Sequence, residues 1–407
     1  MRKNTLLRAL ALSSSLGVTG TAHAVTWDAG DWTLGLGGNV NAFYTRTNCD
    51  ASDLDSGGTT LASLACPTDG DKNSVNNGLL PASLNFSAET TQNGFDISAH
   101  INVYYGITSS GADGDSNADN TPDALKFSSV DARQVYLTFG NADMGTVKMG
   151  RDFGLFAFDA IINDMSLLGA GSAFTTANPG HTTLGGLGYG YVYTDRLAQI
   201  NWTSPKWGGF QGTVGVFNPF DGQTSSAATK AIGESSLGFH GKASYEWDGA
   251  YPGYVSTTFL KQDIDIQTAA GADVGSSDIQ GWDIFGKVSI GDFGFAGYYY
   301  DGEGMTSLAL GGLVFPGFSD TADAEESSGY YVQGTYTWNN TKFGIHWAES
   351  EQEELTKVEN ERLTLGVYHN LTPALTLLGE YSMQESSLSG GGTDKTSSFN
   401  VGAILFF

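Results

Sequence analysis

The sequence predicts an all-β fold, a 16-stranded antiparallel transmembrane β-barrel, and three observations lead to this prediction. Segments of roughly ten residues alternate in polarity along most of the chain, as membrane-spanning strands do. The connections between these segments are tight in some places and long and polar in others. The composition, with 56 Gly, 23 Phe and 18 Tyr against only 9 Pro and 6 Met, favours strands and tight turns over helices.

The first 24 residues have the features of a secretory signal peptide. Basic residues precede a short apolar run at 9–18, and the small residues Ala22 and Ala24 follow it. The run is about half the ~20 residues that a membrane-spanning helix needs, and the small residues suit cleavage after Ala24. We therefore expect a leader at 1–24 and one barrel domain at 25–407.

The alternating segments are regular enough to be counted as strands. The clearest runs from Ser236 to Asp248, where apolar and aromatic residues occupy one side and polar residues the other. An even count places both chain ends on the same side of a membrane. The predicted strands lie at 31–45, 78–90, 95–106, 128–139, 145–151, 191–204, 210–218, 236–248, 253–264, 280–290, 293–302, 329–338, 342–350, 360–370, 374–385 and 396–407.

The connections between predicted strands fall into two classes of length. Tight turns are expected at 91–94, 339–341 and 371–373, and long polar loops at 46–77, 107–127, 152–190 and 303–328. Short periplasmic turns and long extracellular loops are the arrangement of bacterial outer-membrane barrels. A closed sheet is required because a bilayer offers no water to unpaired strand edges. A barrel of this strand number is wide enough to hold an aqueous channel.

Three stretches resemble the general diffusion porins of Gram-negative outer membranes. Asp131 to Gly140 and Gly145 to Gly154 look like the fourth and fifth strands of these porins. Trp202 to Phe210 is similar to their next strand, its Ser-Pro turn and the strand that follows. The last ten residues, 398–407, alternate in polarity and end on Phe407, as the terminal strand of an outer-membrane barrel does.

The resemblance implies that the third long loop, at about 152–190, folds into the barrel and narrows it. Acidic groups on this loop would face basic groups on the wall, and the field between them would filter solutes by size and charge. Carried onto this sequence, the loop acids would be Asp159 and Asp164. The wall bases would be Arg133, Arg151 and Arg196. Each arginine could instead hold a loop carboxylate in a structural ion pair. The strand phase of Arg196 groups it with Ala198 and Ile200, which requires a bulge or a place at the rim.

Other polar residues share the inward phase of their strands and would line the lumen. These residues are Lys242, Glu246, Gln333, Arg362 and Glu380. A slip of one residue in strand register would turn all of them outward.

No residue pattern points to catalysis, a cofactor or a bound metal. Histidines are scattered without a partner nucleophile, and no phosphate-binding loop precedes a predicted helix. Cys49 and Cys66 lie close together in a polar stretch of an exported chain, where an oxidising compartment favours a disulfide. The alternative is two free thiols, and two cysteines alone do not make a zinc site.

The sequence therefore predicts an outer-membrane channel for passive diffusion of small hydrophilic solutes and ions. A formal charge of −25 makes nucleic acid an unsuitable partner and favours a mild cation preference. The resemblance implies a homotrimer in contact with lipid and lipopolysaccharide. The alternatives are a substrate-selective channel, which would show an aromatic track along the lumen, and a surface adhesin or structural barrel that does not conduct.

Overall fold

A computed structural model describes residues 25–50, 70–107, 130–172, 182–222, 228–233, 236–307, 324–353, 357–389 and 392–407. The predicted leader lies outside these residues. The strands are β1 (Val25–Ala29), β2 (Trp32–Asp50), β3 (Gly70–Asn76), β4 (Ala82–Gln92), β5 (Phe95–Tyr105), β6 (Val130–Asn141), β7 (Gly145–Phe153), β8 (Arg196–Thr203), β9 (Phe210–Phe217), β10 (Thr229–Ile232), β11 (Gly238–Trp247), β12 (Gly253–Thr268), β13 (Asp273–Ile290), β14 (Phe293–Glu303), β15 (Glu326–Trp338), β16 (Thr341–Gln352), β17 (Val358–Asn370), β18 (Leu375–Leu388) and β19 (Gly392–Phe406).

These strands form one closed antiparallel barrel with 16 strand positions, as the sequence predicts. The last strand closes on the first long one, with Lys395 opposite Asp50 and Phe406 opposite Asn39. Three short strands, β1, β3 and β10, do not add strand positions to the barrel. β1 pairs with β2 beyond the end of β19, β3 and β4 pair with different parts of β2, and β10 and β11 pair with different parts of β12.

The short connections gather at one end of the barrel, which we term the turn end. Asn93 and Gly94 join β4 to β5, and both have positive φ, at 50° and 82°. Asn339, with φ of 51°, occupies the equivalent turn between β15 and β16. Asparagine and glycine tolerate this left-handed region, so they allow tight hairpins whose twist matches the flanking strands. The long connections lie at the opposite end, the loop end.

The strands place apolar side chains on the outside of the barrel and polar side chains on the inside. In β19, Phe399 and Val401 are 48% and 43% exposed, whereas Ser398 and Asn400 are fully buried. The same alternation recurs in other long strands, although the loop end of β12 turns Leu260, Ile264 and Ile266 inward. A water-soluble protein would bury these apolar side chains, so the exposed apolar face is suited to lipid.

In the part of the chain that the structure describes, helical structure is limited to short elements. Helix α1 (Phe158–Asn163) and a 3-10 turn at Met165–Leu168 lie between β7 and β8, and a second 3-10 turn at Met305–Ser307 follows β14. Within the described residues, no helix has both the length and the apolar composition that crossing a membrane requires.

Cys49 lies near the loop end of β2 and is disulfide-bonded. Its predicted partner, Cys66, lies outside the described residues. A disulfide at this position would close the first long loop onto the strand from which it leaves.

Candidate functional site

The site begins with the segment between β7 and β8, described at 154–172 and 182–195, which we term the β7–β8 segment. It bonds to inward-facing side chains of strands far around the sheet from β7 and β8. The amide of Gly190 donates to Ser350 Oγ of β16 at 2.6 Å, and Asn400 Nδ2 of β19 donates to the carbonyl of Gly171 at 3.1 Å. The sequence places a strand at 191–204, but β8 begins only at Arg196 because the residues before it belong to this segment.

The β7–β8 segment is fastened to β17 by a fully buried ion pair. Arg362 Nη2 lies 3.6 Å from Asp164 Oδ2, and both side chains have no exposed area. Asp164 also accepts hydrogen bonds from the amide and hydroxyl of Ser166 and from Tyr191 Oη, at 2.7–3.0 Å. Burial alone would raise the pKa of Asp164, but His346, Arg362 and Ser166 together hold it below its ordinary value. Asp164 therefore remains ionised at neutral pH.

The packing around this ion pair leaves no room for a side chain at Gly186. A Cβ atom placed there would lie 2.4 Å from Asp164 Oδ2 and 2.7 Å from Arg362 Nη2. Such contacts are far shorter than van der Waals packing allows. Any larger residue at this position would therefore have to displace the ion pair.

A second fastening point is Glu380 of β18. Its Oε2 accepts hydrogen bonds from the amides of Ala170 and Gly171, at 2.8 and 2.7 Å. Its Oε1 accepts from Tyr368 Oη at 2.5 Å. Glu380 is 2% exposed, and these three donors satisfy the carboxylate without water. The residue thus positions the segment and is covered by it.

The first turn of the segment is held by strands on another part of the wall. Asp159, in α1, pairs with Lys242 of β11 at 2.6 Å and accepts from Ser256 Oγ of β12 at 2.5 Å. Gln333 of β15 accepts from the amide of Met165 at 3.0 Å and donates to the carbonyl of Asn163 at 2.6 Å. The predicted loop acid Asp159 therefore meets Lys242, which was predicted to line the lumen, and not one of the predicted wall arginines.

A β-bulge in β6 determines where Arg133 points. Gln134 pairs with Asn102, but Asp131 pairs with Tyr104, so β6 has two residues where β5 has one. The extra residue changes the strand phase, and Arg133 and Gln134 are both buried, at 5% and 1% exposure. Arg133 lies over the Tyr104 ring, with Cζ 4.8 Å from its centroid.

Arg196 lies on the same part of the wall as Arg133, even though residue 196 belongs to the outward-facing phase of β8. The residue before it, Asp195, has φ of 59°, so the chain turns sharply where the strand begins. Arg196 pairs with Asp195 at 2.6 Å and lies over the Phe153 ring at 4.3 Å. Burial alone would raise the pKa of Asp195, but Arg196 and Arg133 lower it below its ordinary value. Arg196 therefore acts on the Asp195 carboxylate through an ion pair, and Arg133 acts on it through its charge.

Arg151 is not part of this arrangement. It pairs in register with Val135, which is 45% exposed, and it shares its phase in β7 with Met149 on the outward face. Arg151 is itself exposed. The structure therefore brings together Arg133 and Arg196 of the three predicted wall bases and places Arg151 on the outside of the barrel.

An open cavity of about 430 Å³ lies between α1 and the inward faces of β7 to β9 and β11 to β13. It extends to the turn end, where Lys206 pairs with Glu246 and both side chains are half-exposed. Its charged lining residues are Lys148, Asp152, Asp159, Lys206, Lys242, Glu246 and Lys287.

Three of these lysines, Lys148, Lys206 and Lys287, are absent from the predicted site. Lys148 and Lys287 could have been found from strand phase, because they alternate with outward apolar residues. Lys206 lies in a turn, where alternation gives no information.

Among the described residues, many inward polar side chains of β16 to β19 are buried. Ser382 and Arg362 have no exposed area, and the tyrosines of β14 and β15 pack against the β7–β8 segment. Tyr191, for example, meets the rings of Tyr298 and Tyr331 edge to face. The cavity is therefore displaced to one side of the barrel.

Within the described part of the chain, no group of three or more histidine, cysteine, aspartate or glutamate side chains is arranged to hold a metal ion. Most charged groups of the site instead form ion pairs, either within the wall, as Lys148 does with Asp152, or between the segment and the wall, as Asp159 does with Lys242. Such an arrangement can orient and filter charged solutes.

Solved structures of outer-membrane proteins share this fold at low sequence identity. An anion-selective porin from Comamonas acidovorans matches with a TM-score of 0.62 and 13% identity, covering 92% of this chain and 100% of its own. The outer membrane channel DcaP of Acinetobacter baumannii matches with a TM-score of 0.65 and 14% identity, covering 95% and 100%. The trimer form of OmpT of Vibrio cholerae matches with a TM-score of 0.55 and 13% identity, covering 93% and 100%.

No curated protein matches the sequence. A family model described as Gram-negative porin matches residues 9–388, which is nearly the whole chain. This match agrees with the closed barrel, its exposed apolar face and its charged, laterally placed cavity. The chain belongs to the Gram-negative porin family and is a non-enzymatic channel protein of the outer membrane.

Proposed function

We propose that the protein is a water-filled channel through which small hydrophilic solutes and ions diffuse passively, and that the cavity beside α1 is its open path. The observation that carries this proposal is the asymmetry of the interior. Inward polar side chains along β16 to β19, such as Ser382 and Asn400, are covered, whereas several of β7 to β9 and β11 to β13, such as Lys148, Ser244 and Glu246, border open space. A barrel that served only as a scaffold would have no need of a charged cavity reaching the turn end.

The β7–β8 segment acts in this proposal as the inward-folded third loop. Asp159 on the segment faces Lys242 on the wall, and this pair borders the open path. Asp164, Arg362, Glu380 and Gln333 hold the segment in place, because all four form contacts between it and the wall and the first three are buried. Arg133 and Arg196 add positive charge nearer the loop end, where both lower the pKa of Asp195.

The proposed assembly is a homotrimer embedded in lipid and lipopolysaccharide. The exposed apolar face supports contact with lipid, and the trimer form of OmpT, which shares the fold, supports the oligomeric state. The aromatic residues that might have formed a track for one substrate class, such as Tyr298 and Tyr331, are buried under the segment. Their burial favours a general channel over a substrate-selective one.

The proposal is tested by recording currents through the protein, purified from outer membranes, in a planar bilayer. We expect stepwise, ohmic conductance with steps in groups of three, because each trimer would insert three pores at once. The same preparation should migrate as a trimer in gels before heating and as a monomer afterwards. A folded, heat-resistant barrel that never conducts would refute the channel and favour the adhesin.

A further inference from the structure

The charges that line the open cavity do not cancel. Six of the seven charged groups form three ion pairs, between Lys148 and Asp152, Lys242 and Asp159, and Lys206 and Glu246. A close pair presents little net field to a passing ion, because its two charges offset each other within a few ångströms. The seventh group, Lys287, determines the net charge of the cavity.

Lys287 is presented to the open space. It lies on the inward phase of β13, two residues after the buried Phe285, and its side chain is exposed to the cavity. Its Nζ donates to Asn163 Oδ1 of α1 at 2.9 Å and lies 5.8 Å from the centroid of the Tyr254 ring. Among the described residues, no carboxylate lies within ion-pair distance of it. An ammonium group has three donors, so donors remain for a solute.

We infer that Lys287 is the selectivity-determining residue of this channel and makes the cavity prefer small anions, such as chloride and short carboxylates, to cations of similar size. The inference rests on the proposed function, since it requires solutes to pass through the cavity. It also reverses the cation preference that the overall acidity predicts. The overall charge of −25 includes loop and outer-surface carboxylates. Salt screens charges that lie beyond about 10 Å at 0.1 M, so the local balance in the cavity decides.

The preference for anions over cations follows from the position of the unpaired charge. An anion about 5 Å from an ammonium group in water is favoured roughly fourfold over an uncharged solute, and a cation is disfavoured by a similar factor. Asn163 leaves the charge unneutralised because an amide oxygen carries only a partial charge. The solute also remains hydrated, because the cavity is open to the turn end.

The test is the reversal potential of the native trimer under a potassium chloride gradient. We expect a chloride to potassium permeability ratio above one for the wild type. Lys287→Gln should lower the ratio by up to about sixteenfold, the product of the two fourfold effects, because glutamine keeps a polar amide donor and removes the charge. Lys287→Glu should invert the preference to cations.

The matched control is Lys261→Gln, which removes the same charge from the outer face of the barrel, where Lys261 pairs with Asp278. The chloride to potassium permeability ratio of this variant should equal that of the wild type. A wild type that prefers cations would overturn the role of Lys287. So would a Lys287→Gln variant that forms a heat-resistant trimer and has the wild-type permeability ratio. Neither result would contradict the proposed channel function. A folded trimer without any conductance would overturn the proposed function and this inference together.

Discussion

Replacing Arg362 by methionine is expected to lower the free energy of unfolding by about 3–5 kcal/mol, because it leaves the buried carboxylate of Asp164 without its cation. Methionine keeps most of the side-chain volume, so the effect reports the lost charge and hydrogen bonds more than a cavity. Arg362 also donates to the carbonyl of Gly185, which would lose its partner. Urea unfolding of the detergent-solubilised protein, followed by tryptophan fluorescence, measures the change.

The control for this substitution is Arg46→Met. Arg46 pairs with Asp71 at 2.6 Å, but both side chains are well exposed, at 57% and 41%. Exposed ion pairs contribute little to stability because water solvates both charges when they separate. We expect almost no change for this variant. Equal unfolding midpoints for Arg362→Met and the wild type would contradict the anchoring role of the buried pair.

Replacing Glu380 by leucine is expected to lower the free energy of unfolding by about 2–4 kcal/mol. It should also increase the noise of the open-channel current. The substitution removes the acceptor of three buried donors, the amides of Ala170 and Gly171 and the hydroxyl of Tyr368. Each buried donor left without a partner is destabilising. Because two of these donors belong to the β7–β8 segment, its loosening should appear as current fluctuations in single-channel records.

Glu385→Leu on the same strand is the control for this second prediction. Glu385 is 45% exposed on the outward face, where it lies near Lys395. Its replacement should leave both stability and current noise unchanged. A quiet, stable Glu380→Leu channel would show that the segment is held by other contacts, and the anchoring role of Glu380 would have to be abandoned.

The strands could be predicted from the sequence because each one faces lipid on one side and polar groups on the other. That alternation is local, so it can be read without knowing which strands are neighbours. It also assigns Lys242, Arg362 and Glu380 to the inward phase, and in the structure all three contact the β7–β8 segment. Strand ends were less predictable, since β2 extends to Asp50 where the polar loop was expected to begin at residue 46.

The contacts of the predicted site residues could not be read from the sequence. The extra residue in β6 turns Arg133 inward, while the regular β7 keeps Arg151 outward, and a bulge of one residue leaves no clear trace in the polarity pattern. The pairing of Asp164 with Arg362 depends on closure of the whole barrel, because it joins the β7–β8 segment to β17. The sequence suggests both groups, but not that they neutralise each other.

The central claim is that solutes pass between α1 and the wall of β7 to β13, and cysteine modification during current recording tests it most directly. Ser244 borders the open cavity, whereas Ser382 is fully buried under the β7–β8 segment. A hydrophilic thiol reagent should reduce the current of Ser244→Cys in discrete steps and leave Ser382→Cys unaffected. Block at Ser382→Cys with an unaltered Ser244→Cys current would contradict the claim and place the path on the other side of the barrel.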